Sequence, residues 1–223
     1  MGKVADTLGY FTVVEDQNTG WTGGLLLLNQ GGRPLEFQCT LPVRPTRAHE
    51  ILFGETLRQH VISEVIGRLL IDKCRNSISM LCCDLHEAID LAKDCDFPVV
   101  FLDESNALHD EKFDRYAQRR KISTSRTGNS PRQGSLPSLL ARHRSDETLG
   151  KASTDQPTGS RLFELSGATI RVATADCERV KSIITGLADL PDGAEPFERI
   201  REAIKEAQSQ ISHAASSRTA SAA

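Results

Sequence analysis

The chain opens with three short blocks of β-type patterning and then switches to a helical period. Residues 8–15, Leu-Gly-Tyr-Phe-Thr-Val-Val-Glu, are rich in β-branched and aromatic side chains and predict a first strand. Asp16 to Gly20 supplies a turn. Trp21 to Asn29 follows, with Leu25 through Leu28 uninterrupted, the mark of a strand covered on both faces. Asn29-Gln30-Gly31-Gly32 predicts a hairpin, because glycine accepts the positive φ such turns need. Pro34 to Leu41 then alternates, with Leu35, Phe37, Cys39 and Leu41 on one face and Glu36, Gln38 and Thr40 on the other. The polar face is expected to meet water or a partner.

Pro42 and Pro45 stop this strand, and Thr46 is placed to cap a helix. From Ala48 to Cys74 the period turns helical: Leu57, Val61, Val65 and Leu69 form one stripe, with Ile62, Ile66 and Leu70 beside it. So wide an apolar face suits a helix lying across a sheet. Gly54 marks a bend and Gly67 a close helix–sheet approach. A fourth strand over 77–83, a short helix over 85–95 and a fifth strand over 97–103 complete the order β-β-β-α-β-α-β. Residues 1–111 thus form an α/β core.

From Lys112 the character changes. Nine basic residues between Lys112 and Arg144, among them Arg119, Arg120 and Lys121, are interrupted by the single acid Asp114 and by many small polar residues. Such a stretch buries too little to offset the entropy of ordering it, so 112–160 is expected to be a disordered basic linker. Ser123 follows Arg119-Arg120-Lys121-Ile122, a setting that suits phosphorylation, and the run as a whole suits an acidic partner or nucleic acid. Apolar positions return at Arg161. Leu162, Phe163 and Leu165, then Ile170 and Val172, flank Ser166-Gly167 as a hairpin; Asp176 is placed to cap a helix reaching Leu190, and a second helix starts at Glu195. Residues 161–212 are expected to complete the same domain, with 213–223 a frayed tail. The fold class is α+β or mixed α/β, with the meander, helix-strand-helix-strand, hairpin and two helices around one sheet.

Composition narrows the picture modestly. A length of 223 residues, a net charge of −3 and 39 % hydrophobic residues describe one domain with appendages and no overall basic signature. No apolar run approaches the roughly 20 residues that span a bilayer. The N-terminus has no h-region, and the six cysteines contain no C-x-x-C pair, so reduced thiols in a cytoplasmic protein are expected. Cys82 and Cys83 are adjacent strand residues that point to opposite faces, which speaks against a shared zinc ion; no metal or other cofactor is assigned.

The chemistry that patterning places together lies at two strand ends. Asp84 follows one apolar run, and Asp103 with Glu104 follows the next. If the two strands are parallel, these acids share one sheet edge, where carboxylates can hold Mg²⁺. With Glu15 at the end of strand one and Glu64 on the helix, acids and element order resemble the ribonuclease H-like nuclease fold. That resemblance implies a Mg²⁺-dependent nuclease or phosphodiesterase with Asp84 and Asp103 as catalytic residues. The chain departs from the pattern in strand one, where such nucleases carry an aspartate and Tyr10 to Val14 offers none. The plainer account is that Asp84-Leu85-His86-Glu87 has capping-box spacing and starts the next helix, with His86 facing solvent.

With no Walker loop, G-x-S-x-G or H-E-x-x-H, the leading expectation is a non-catalytic regulatory protein that binds another protein. Its binding surface would be Glu36, Gln38 and Thr40, or the basic residues Arg119, Arg120 and Lys121. The nuclease is the alternative.

Overall fold

The computed structural model describes residues 6–102, 159–187, 190 and 192–220, with side chains to 210. It is a mixed α/β structure around one seven-stranded sheet, in the order β3-β2-β1-β4-β5-β7-β6. Strands β1 (Leu8–Asp16), β2 (Gly20–Leu28) and β3 (Pro34–Cys39) form the antiparallel meander. Next to β1, β4 (Met80–Cys83) and β5 (Val99–Leu102) run parallel to it. The hairpin β6 (Ser160–Leu165) and β7 (Ala168–Ala173) joins through an antiparallel β5–β7 pair, so it extends the sheet and is no separate module.

Each face of the sheet is covered. Phe11, Val13, Leu25 and Leu27 pack against Val61, Ile62, Ile66 and Leu91. Leu8, Tyr10, Leu26 and Leu28 pack on the other side against Val180, Phe197, Ile200 and Ile204, which come from α4 (Cys177–Thr185) and α5 (Glu195–Ala220). This two-sided burial is why Leu25 to Leu28 reads as an unbroken apolar run. The adjoining Gly23 and Gly24 serve the same end: a Cβ on the first would strike Ile66, and on the second Ile200.

The long helix expected over 48–74 is segmented. It comprises α1 (Arg47–Phe53), a 3₁₀ turn (Gly54–Thr56), α2 (Leu57–Gln59), a π-helical stretch (His60–Gly67) and α3 (Arg68–Lys73). Thr46 caps α1 through a capping box with His49, and the run bends at Gly54, whose φ of +49° disfavours any side chain. Gly67 makes the expected close approach, where a Cβ would meet Leu91. The short helix after Asp84 is a 3₁₀ helix, His86–Lys93. Asp176 flanks α4 without a side-chain capping bond, and α4 ends at Thr185 rather than Leu190. The terminal helix continues to Ala220, beyond the tail boundary that composition suggested.

Strand β3 lies with its faces reversed from expectation. Leu35, Phe37 and Leu41 are exposed, while Glu36 and Gln38 turn inward. The cause is the segment leaving α3, which crosses over this edge with backbone groups to satisfy. Glu36 accepts from the amides of Arg75 and Asn76 and from the Asn76 side chain, and Gln38 donates to the Lys73 carbonyl at 2.9 Å. Thr40 accepts from the Gly23 amide at 3.1 Å. Asp103, Glu104, Arg119, Arg120, Lys121 and Ser123, together with the expected disordered linker, lie outside the described residues.

Candidate functional site

Strand parity decides which groups meet at the carboxyl edge of β1 and β4. Tyr10 is paired with Cys82 and both sit in the core under α5. Two residues on, Thr12 and Asp84 point the same way, and the Thr12 hydroxyl donates to Asp84 Oδ2 at 2.9 Å. The Asp84 side chain is only 3 % exposed, and the Arg201 guanidinium of α5 closes on the same oxygen. Helix α5 is seated here by buried Phe197, Ile200 and Ile204, with the Phe197 ring edge-on to Tyr10 at 5.2 Å. Arg201, four residues after Phe197 and three before Ile204, is thereby presented to the strand edge by a firmly packed turn.

Asp84 does not start the following helix. The flanking residue is Leu85, with no side-chain capping bond, so the capping expectation is corrected: two tertiary partners, not the local amides, take this carboxylate. Glu15 belongs to the opposite face, as its odd position alongside Phe11 and Val13 requires. There it pairs with Arg58 of α2, which also bonds Glu87 at 2.5 Å and lies 5.8 Å from the Trp21 ring. Burial pushes the Glu87 carboxyl up, but the Arg58 bond, its own amide and His86 more than reverse this and hold it below its ordinary value. His86 contacts Glu87 at 3.2 Å, and Glu64 lies on the outer helix surface beside His60 at 2.9 Å.

The sheet therefore separates the acids that the nuclease alternative had grouped. Asp84 lies on the α5 side, Glu15 on the other, Glu64 farther out, and Asp103 outside the described residues. Among the described residues no three His, Cys, Asp or Glu side chains come together to hold a metal. Around Asp84 the nearest described donor is a neutral hydroxyl and the nearest charge a guanidinium, a set that does not fit the near-octahedral oxygen shell of Mg²⁺. What the edge can do is hold one buried, oriented carboxylate in an ion pair whose cation is 43 % exposed.

Thr12, Arg58 and Arg201 escaped the sequence reading. Thr12 was one β-branched residue among many, and Arg201 sits among Glu198, Glu202 and Lys205 on what reads as a solvated stripe. The available signal for Arg201 was its spacing to Phe197 and Ile204.

No family model matches the chain, and no curated protein matches it. Solved structures of similar chain path are Endonuclease V proteins. One, from Ciona intestinalis in complex with a 23mer DNA containing an inosine followed by a ribo-adenosine, has a TM-score of 0.45 at 14 % identity over 91 % of this chain and 86 % of that one. Human Endonuclease V gives 0.43 at 14 % over 92 % and 86 %, and its catalytic domain 0.40 at 15 % over 92 % and 85 %. The expectation of a regulatory, protein-binding module is corrected: the solved structures of like path are nucleases, and the polar β3 face is engaged within the chain. The likeness is one of path, and the functional reading rests on the residues themselves.

Proposed function

We propose that this protein is a nuclease or phosphodiesterase acting on nucleic acid, with Asp84 at the carboxyl edge of β1 and β4 as its central residue. The observation that carries this reading is the burial of an ionisable group at that edge. Removing a carboxylate from water costs several kcal/mol even after relaxation, and a helix start needs no such burial. A side chain 3 % exposed, reached by Thr12 from the next strand and Arg201 from a distant helix, is a built position. Nucleic acid is the substrate class because both arginines that face this edge, Arg58 and Arg201, bring the cationic chemistry that phosphodiesters bind, and the sequence adds the basic run Arg119-Arg120-Lys121. No catalytic step is assigned to a metal, since the described donors do not fit one.

The test is cleavage of labelled single- and double-stranded DNA, RNA and hybrid by the full chain, in Mg²⁺, Mn²⁺ and chelator. Asp84→Asn is expected to lower cleavage at least about a hundredfold while circular dichroism and melting stay those of a folded chain. Activity unchanged in Asp84→Asn, or no cleavage of any substrate by any form of the protein, would overturn the proposal.

A further inference from the structure

We infer that the guanidinium of Arg201 stands in for a divalent cation at Asp84, so that helix α5 decides whether this strand-edge carboxylate is open to a metal ion. The inference starts from the misfit at the site. The ribonuclease H-like resemblance implies Mg²⁺ held by converging acids, yet here the buried acid has Thr12 and Arg201 as its described neighbours. Thr12 occupies the β1 position that faces Asp84, where a second carboxylate would have to stand.

Electrostatics explains why a cation must be present in some form. An ionised Asp 3 % exposed is tolerable only when paired, and Arg201 supplies the charge from a helix seated by Phe197, Ile200 and Ile204. An arginine is suited to the part because it stays protonated at every physiological pH and its planar head bonds a carboxylate directionally. It also excludes a metal ion, since guanidinium and cation would compete for the same oxygen, Asp84 Oδ2, at like charge. The pair is asymmetric in exposure, 43 % for Arg201 against 3 % for Asp84, so the guanidinium can withdraw toward solvent without unfolding the sheet. A charged ligand such as a phosphate group would compete for that guanidinium and favour its withdrawal.

As regulation of the strand-edge site this rests on the nuclease reading above. As a statement about charge it is measured with MnCl₂ alone. Titration of the full chain, followed by calorimetry and by the Mn²⁺ electron-spin signal, is expected to find no Asp84-dependent site in the wild type. Arg201→Gln, which keeps the length of the stem, should gain about one Mn²⁺ per chain with affinity raised roughly tenfold or more. That gain should vanish in Asp84→Asn/Arg201→Gln and be absent in Arg201→Lys, which restores a cation. Wild-type binding abolished by Asp84→Asn, or no gain in a folded Arg201→Gln or Arg201→Ala chain, would overturn the inference. Mn²⁺ gain without cleavage by any form would leave it standing and sink the nuclease reading instead; cleavage without the gain does the reverse.

Discussion

Glu36 separates a structural from a partner-binding role for the polar face of β3. Its carboxylate accepts from the Arg75 amide at 3.1 Å, the Asn76 amide at 3.1 Å, Asn76 Nδ2 at 2.9 Å and Gln38 Nε2 at 2.5 Å. Burial alone would push its pKa up. The Asn76 and Gln38 side chains and the two amides outweigh that, lowering it from 4.5 to about 2. The native state therefore binds fewer protons than the unfolded chain between those values. Glu36 contributes its full stabilisation above about pH 4.5 and loses it as the pH falls toward 2.

A shift of that size, taken at face value, corresponds to about 3 kcal/mol. Glu36 is only half-buried at a sheet edge, so solvent screening reduces this to about 1–2 kcal/mol. Glu36→Gln keeps the shape but removes the charge and turns one acceptor into a donor that faces other donors. Urea unfolding at pH 7 should show it about 1–2 kcal/mol less stable than wild type. The gap should close as the pH is lowered below 4, because the wild type then loses the same charge. Equal urea midpoints at pH 7, or a gap independent of pH, would show that the hydrogen bonds to Glu36 do not hold the α3 exit on β3.

Two further substitutions probe the packing that builds the site. Thr12→Val keeps volume and β-branching but removes the 2.9 Å bond to buried Asp84, and should cost about 1.5–3 kcal/mol. Each kcal/mol lowers the melting temperature by about 2–4 °C in a chain of this size, so an unchanged melting curve would deny that bond any weight. Gly24→Ala drives a Cβ into Ile200 and Ile204, and should destabilise by about 1–3 kcal/mol while loosening α5. Gly31→Ala is its control: the nearest atom lies 3.6 Å away, and its urea midpoint should differ little from wild type. Equal effects from the two would contradict the tight β2–α5 contact.

Element order was readable because it rests on local periodicity. The meander, the crossover through the helical run, the two parallel strands and the later hairpin each show their own period or turn residues. Where the reading went astray, tertiary contacts overrode the local signal. Alternation in β3 correctly separated Leu35, Phe37, Cys39 and Leu41 from Glu36, Gln38 and Thr40, but could not say which face was inner. The deciding partners, Lys73 to Asn76, lie more than thirty residues away. The helical run kept its apolar stripe, yet its π-helical stretch leaves no mark in a pattern scored at 3.6 residues per turn.

The same distinction governs the strand-edge acid. Locally, Asp84-Leu85-His86-Glu87 spells a capping box, and nothing within ten residues contradicts it. What contradicts it is a threonine 72 positions away and an arginine 117 positions away, brought in by β1–β4 pairing and by the seat of α5 on β1 and β2. Parity could have carried the inference further than it was taken. Once β1 and β4 are parallel neighbours, Asp84 and Glu15 must lie on opposite faces, so three acids at strand ends are not three acids in one site. Counting carboxylates along an edge overstates a metal centre by ignoring that alternation. The residue that matters most beside Asp84 is a cation, and in an exposed-looking stripe of alternating charges Arg201 has no local feature that distinguishes it from its neighbours.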